Sequence, residues 1–384
     1  MTEARDLGCE IELDRVEPMV VAALAQHARA HWERATRGDD SAPPWPVLGG
    51  VGLWRVVARA WRDADNPILR RRAAVLARWI GLVWVEGDAS VCVAAAALRG
   101  QAGRADAAAL TTLLSALAAA RNGAARKLGF ASVVALWLAF EELEEAQLAD
   151  WLAAPSMPPL DQGASRAGAD GARGCDVAVV VFPEDTVARL VAKLGVPPTV
   201  RVTVDRSGTG LARTFVIAPP DDVRVVWSPG GSNALARLAH ELGHALYASQ
   251  WRGLPPALAA PASRFVDEGV AEWAADAVAP DAGSRASWLR WQRARAAAEL
   301  ALYAADGAAA MAAYRGVSAR QLGGPRELAA DAHLIEQLAA DPGAQLAYLG
   351  GNAVRVTISE NSPHWLFQRL AAGAMLPPGR WLSG

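Results

Sequence analysis

Residues 240–244 read His240-Glu241-Leu242-Gly243-His244. On a helix, positions i and i+4 share one face, so both imidazoles can reach a single metal ion. The glutamate beside the first histidine then stands where it can take a proton from a metal-bound water. With 6 histidines in 384 residues, this spacing is improbable by chance. The alternative is a solvated helix turn carrying two satisfied histidines.

A zinc site of this kind needs a third protein ligand and leaves its fourth position to water. The segment Phe265-Val266-Asp267-Glu268-Gly269-Val270-Ala271-Glu272-Trp273 offers one. Pro255, Pro256 and Pro261 lie between the two stretches, ending one helix and letting the chain turn back. Glu268 and Glu272 are four apart, so both can face the first helix. We assign Glu268 as third ligand and Glu272 as the acceptor that orients a ligand imidazole. Asp267 and Asp276 could exchange roles with them, but their angular positions fit less well. A surface helix with spaced acids is the competing reading.

At these residues the chain resembles the gluzincin metallopeptidases, and most closely the thimet oligopeptidase and oligopeptidase F family, with angiotensin-converting enzyme more distant. The likeness extends to Thr214–Arg224, which has the look of a strand, a proline turn and an Asp-Val-Arg before the zinc helix. It also reaches Arg121-Asn122-Gly123-Ala124-Ala125-Arg126-Lys127-Leu128-Gly129-Phe130, which is similar to a helix of that family. Together these cover roughly residues 120–150 and 200–275, and the zinc motif is the specific part. The resemblance implies an all-helical gluzincin fold with one zinc ion and peptide substrates. Members of the family are longer, so it also implies a reduced lid. Their substrate carbonyl is bound by a C-terminal motif rich in tyrosine and histidine. The segments 347–352 and 362–365 match it loosely and make Tyr348 and His364 the candidate oxyanion donors, with Tyr314 a poorer one.

Composition sets the background. The hydrophobic fraction is 52%, yet no uncharged run of 18 apolar residues occurs. The sequence opens Met1-Thr2-Glu3-Ala4-Arg5-Asp6, without a secretory pattern. Cys9, Cys92 and Cys175 form no disulfide set or metal-like pair, which points to the cytoplasm. A net charge of −2 gives no footprint for nucleic acid or acidic lipid. Oligomeric state is not readable.

Helical spacing runs from about Pro18 to Arg37, Gly52 to Asp63, Ile68 to Glu86, Ala105 to Asn122 and Ser132 to Ala153, the last with Glu141, Glu142, Glu144 and Glu145 on its wetter side. His27 and His31 are also four apart, but no suitable acid follows, so they read as a surface pair, as does His333 alone. The 15 tryptophans read as core or groove lining. Residues 154–175, with Pro155, Pro158, Pro159 and several glycines, read as a flexible loop or linker. The predicted organisation is an N-terminal helical region over 1–153 and a catalytic region over 176–384, packing around one cleft.

Strands are predicted over Asp176–Phe182, Val200–Asp205, Leu211–Ala218 and Val223–Trp227, with a turn at Arg206–Gly210. They would form a small antiparallel sheet beside the zinc helix. Its edge could hold an extended peptide, or be covered and structural. The expected activity is zinc-dependent hydrolysis of peptide bonds, with Glu241 as general base. A dedicated maturation protease and a non-catalytic zinc-fold binding protein are the alternatives.

Overall fold

The computed structural model describes residues 2–37, 46, 50–102, 104–153, 185–205, 212–229, 233–278 and 282–383. The chain forms two compact units. One comprises Met1–Val83, Asp176–Pro280 and Gly351–Gly384, the other Trp84–Cys175 and Asp281–Gly350. The expected linker 154–175, the strand 176–182 and the turn 206–210 lie outside the described residues. The fold is mainly helical with one small sheet, as the helical spacing and valine-rich runs require. Among the described residues no single helix is long and apolar enough to cross a membrane.

The first unit begins with α1 (Thr2–Ala35), a single helix that runs through Pro18 rather than starting there. Proline inside a helix costs about 3 kcal/mol. Leu13, Val16 and Val20, all buried, form an apolar stripe on either side of it, and their burial offsets that cost. Helices α2 (Gly50–Asp63) and α3 (Pro67–Gly87) follow. The sheet is built from β1 (Arg201–Val204), β2 (Ala212–Ala218) and β3 (Asp222–Trp227) in the order β1-β3-β2.

This sheet is mixed rather than antiparallel. β2 pairs with β3 antiparallel, but β1 lies parallel along β3's other side. The reason lies in burial: Val223, Val225, Val226 and Trp227 of β3 are all buried, whereas β1 buries none of its residues completely. The strand with apolar groups on both faces takes the centre, and the sparser strands become edges. Strand periodicity then sorts the faces. Arg213, Phe215 and Ile217 of β2, with Arg224 and Val226 of β3, face α1. There Phe215, Ile217 and Val226 pack with Ala35, the Phe215 ring meets His31 edge-on, and the Arg224 guanidinium lies 4.1 Å above the Trp32 ring. On the opposite face Trp227 Nε1 donates to the Ala234 carbonyl and Thr214 reaches Glu241.

Further on in this unit come α8 (Thr186–Leu194), which precedes the sheet in the chain, and then α9 (Ala234–Ala248), α10 (Arg264–Val278) and, near the C-terminus, α15 (Pro363–Ala372). The prolines between α9 and α10 do end one helix and reverse the chain, and the loop they make is held by named donors and acceptors. Glu17 Oε1 accepts from the Ala257 amide, and Tyr247 Oη accepts from the Ala262 amide at 3.1 Å. Arg71 and Arg78 of α3 donate to the Ala262 carbonyl, and Arg78 also to that of Pro261. Buried carbonyls of an irregular loop must find donors, and two arginine forks supply several each.

The second unit contains α4 (Ala89–Gln101), α5 (Ala107–Lys127), α6 (Val133–Glu141), α7 (Glu145–Ala153), α11 (Ala282–Ala304), α12 (Gly307–Gln321) and α13 (Ala332–Ala340). A further helix, α14 (Ala344–Glu360), passes from this unit into the first. The single helix expected over 132–153 is two. Glu142 takes a left-handed conformation at φ 53°, and the amides of Glu142 and Leu143 close on the Ala139 and Leu138 carbonyls. An unbroken helix would set Glu141 against Glu144 and Glu145 at repelling spacings. The break avoids this, places Glu145 in a first turn, where the helix dipole favours an acid, and lets Gln147 Oε1 accept from the Glu144 amide.

Arg121, fully buried, organises this unit. Its Nε and Nη2 form a fork on Glu86 at 2.8 and 2.7 Å, and Nη1 donates to Tyr303 Oη at 2.7 Å. The carbonyls of Leu338 and Ala339 take the remaining protons, so all five guanidinium donors are used. Burial alone would lower the arginine's pKa, but Glu86 outweighs it and holds the charge firmly in place. Asn122 beside it donates to the Tyr303 carbonyl and accepts from the Val133 amide, and Gly129 turns the chain at φ 94°. The Arg121–Phe130 stretch that carried the family resemblance is thus a structural clamp. Replacing Arg121 by Met strands a buried carboxylate, so thermal denaturation should show a loss of about 3–5 kcal/mol.

Candidate metal centre

Helix α9 buries Leu238, Ala239, Leu242, Ala245 and Leu246 and leaves His240, Glu241 and His244 half-buried on one side. Helix α10 lies against it almost backbone to backbone. A Cβ on Gly243 would come within 2.6 Å of the Ala271 Cα and 3.0 Å of the Val270 carbonyl oxygen. The glycine inside the histidine motif is therefore a contact point. It lets α10 come close enough for short carboxylate side chains to reach both imidazoles.

The resulting distances are specific. His240 Nε2 lies 3.2 Å from His244 Nε2 and 3.4 Å from Glu268 Oε2. One ligand atom from each of His240, His244 and Glu268 falls within 4.8 Å of the others. Ligand atoms about 2.0–2.1 Å from a tetrahedral zinc stand roughly 3.3 Å apart, so these separations suit one ion. Glu268 Oε2 is buried without a full hydrogen bond, its recorded neighbour being His240 Nε2 at 3.4 Å. The donor set of two imidazoles and a carboxylate is one that zinc favours.

Each imidazole has a carboxylate at its back. Glu272 Oε1 is 3.3 Å from His240 Nδ1, and Asp267 Oδ1 is 2.9 Å from His244 Nδ1. A proton on each Nδ1, favoured by the charge of the acid behind it, leaves both Nε2 lone pairs for the shared point. Two such lone pairs 3.2 Å apart repel unless a cation or a proton lies between them. Burial works against charging either ring, but the acids outweigh it. Glu268 and Glu272 push His240 well above its ordinary value, and Asp267, with Glu268 adding, brings His244 to about 9.

The structure thus brings together His240, His244, Glu268 and Glu272 as the helix spacing predicted. Glu241 lies on the same turn as His240, and its Oε2 is 2.8 Å from Thr214 Oγ1 on β2. The other residues singled out have other recorded partners. Asp276 is paired with Arg355 at 2.7 Å. Tyr348 belongs to the second unit, where its ring meets Trp288 edge-on. Tyr314, in the same unit, is buried and donates to Asp331. His364 is exposed on α15 with Nε2 2.8 Å from the Gln368 amide, and His333 is exposed on α13. His31 Nε2 is 2.7 Å from Arg213 Nη1, far from any acid triad of the α9 kind. Sequence reasoning missed two partners. Asp267 was ranked below its neighbours because helix angles alone could not say that His244 sits over the first turn of α10. Thr214 gave no signal, since strand alternation marks its face but not what that face meets.

No protein-family model matches the chain, and no curated protein matches it. Solved structures do. The apo-Mg structure of Pyrococcus furiosus carboxypeptidase superposes with a TM-score of 0.60 at 15% identity, covering 98% of this chain and 94% of that one. The crystal structure of BsuCP superposes at 0.59 with 14% identity, covering 98% and 91%. The chain shares their fold. Nearly the whole length of both is matched, and identity this low speaks to the fold alone.

Metal binding needs neutral imidazoles, and both are raised in the metal-free protein. Zinc affinity measured by chelator competition should therefore fall by roughly tenfold or more per unit as pH drops from 8 to 6. The same raised values stabilise the metal-free fold fully below about 6.5, the ordinary histidine value, and that contribution is lost as pH rises through about 9, so melts in chelator should show it. Asp267→Asn removes the acid behind His244 and should weaken zinc binding about 10- to 100-fold in the same assay.

Proposed function

We propose that this chain is a zinc-dependent peptidase that hydrolyses peptide bonds with a metal-activated water. The observation that carries this reading is the convergence of His240 Nε2, His244 Nε2 and Glu268 Oε2 on one point, with Glu241 on the same helix turn. The third ligand comes from a second helix, the gluzincin arrangement. Zinc, when bound, supplies Lewis acidity, polarising the scissile carbonyl and bringing the water's pKa towards neutrality. Glu241 accepts the proton of the attacking water and passes it to the leaving amine. Asp267 and Glu272 keep each imidazole in one tautomer and orientation. Tyr348 and His364 remain the residues proposed to donate to the developing oxyanion, and β2, an edge of the sheet, the strand proposed to receive an extended peptide.

The sequence resemblance favours an oligopeptidase cutting short or unfolded peptides inside the cell. The fold favours a second reading, because both matched structures extend over nearly the whole chain and one is named a carboxypeptidase. In that reading the enzyme removes residues singly from the C-terminus. Retention of Glu241 argues against a silent binding protein, since a purely structural zinc site has no use for a base beside it.

Mass-spectrometric cleavage of a mixed peptide library by the zinc-loaded protein separates these readings. Ladders of products shortened from the C-terminus mean a carboxypeptidase, and internal fragments mean an oligopeptidase. Glu241→Gln should reduce kcat about 10²- to 10⁴-fold with zinc still bound. A zinc-loaded wild type that cuts nothing in the library would overturn the proposal of a general peptidase.

A further inference from the structure

Thr214, outside the two helices of the candidate site, touches Glu241 from the sheet. It sits at the centre of β2, on the face turned away from α1 and towards α9. Its hydroxyl oxygen is 2.8 Å from Glu241 Oε2 and 2.8 Å from the Glu241 carbonyl oxygen. A threonine hydroxyl carries one proton, so it can donate to the carboxylate, to the carbonyl, or be shared between them. Donation to Oε2 ties the head of Glu241 to the sheet, and donation to the carbonyl ties its backbone. Among the described residues Glu241 Oε1 has no hydrogen-bond partner.

We propose that Thr214 is a positioning residue for the general base: its hydroxyl holds Glu241 Oε2 against β2 and leaves Oε1 as the oxygen that takes the proton. This inference rests on the proposed peptidase reading for its kinetic consequence. Glutamate has three side-chain torsions, and a base that is free to sample them spends part of its time out of line with the water. Threonine is suited to the task because its β-branched side chain is stiff at χ1 and at home in a strand. The sheet, in turn, is fixed on its other face by the packing of Phe215, Ile217 and Val226 against α1. The hydroxyl is therefore anchored from outside the two helices that carry the other site residues. The connection also accounts for the proximity of the sheet to the metal helix, which the motif by itself does not need.

The experiment compares Thr214→Val, which keeps the shape and removes the hydroxyl, with Thr214→Ser, which keeps the hydroxyl. Steady-state kinetics on a peptide cut by the wild type, zinc affinity by chelator competition, and crystal structures of each variant are the readouts. The expected result for Thr214→Val is a fall in kcat of about 10- to 100-fold with KM and zinc affinity within about twofold. Thr214→Ser should recover most of the loss. In the Thr214→Val crystal the Glu241 carboxylate should spread over more than one rotamer, whereas the wild type and Thr214→Ser hold one. A Thr214→Val enzyme with unchanged kcat, a serine variant no better than valine, or a Glu241 side chain that keeps its rotamer without the hydroxyl would each overturn the inference. A wild type that cuts no peptide would defeat the peptidase reading instead, and the rotamer comparison would still decide the positioning of Glu241.

Discussion

The metal centre depends on how closely two helix backbones can approach. Gly243 on α9 lies against Ala271 on α10 with no room for a side chain between them. On the other side of α10 the pattern repeats: a Cβ on Gly269 would come within 2.8 Å of the Gly351 carbonyl oxygen, and one on Gly351 within 2.9 Å of the Glu268 Cβ. Helix α10 is therefore wedged between small residues on both sides. Interhelical distances of 8–10 Å are usual where ordinary side chains meet, and small residues at the contact let the backbones come closer. Small residues at the contact turn two amphipathic helices into a site with ångström tolerances.

Charge explains why such a site calls for a cation. Glu241, Asp267, Glu268 and Glu272 gather around two imidazoles. In the metal-free protein the histidines relieve part of this excess by holding protons, which is the physical origin of their raised pKa values. A divalent ion supplies the same relief with two charges at one point and releases those protons on binding. The second unit solves the opposite problem. There Glu86, a buried acid, is satisfied by Arg121, and the pair rigidifies the helices around it without any group left open for chemistry.

Much of this was legible in the chain, and the limits of legibility have a pattern. The i, i+4 pair of histidines, the base between them and the acids at Glu268 and Glu272 followed from helix periodicity, because residues of one helix keep fixed angles whatever surrounds them. The break at Glu142 was hidden, since the apolar pattern is satisfied equally by one helix or two, and only the repulsion of four glutamates and a left-handed turn decide it. The parallel pairing of β1 with β3 was hidden as well. Alternation reports which faces are apolar but not which strand lies beside which, and connecting residues short enough for a hairpin made the wrong neighbour attractive.

The sequence by itself therefore determined the helical class, the placing of His240, Glu241 and His244 on one helix and the second helix that brings Glu268 to them. These are local facts, set by backbone geometry over a few residues. Tertiary structure alone decided that Asp267 rather than Asp276 backs an imidazole, that Arg355 claims Asp276, and that a threonine from a neighbouring strand reaches the base. Those choices turn on the depth and offset with which one element packs on another, a matter of a few ångströms that is fixed by contacts between residues far apart in the chain.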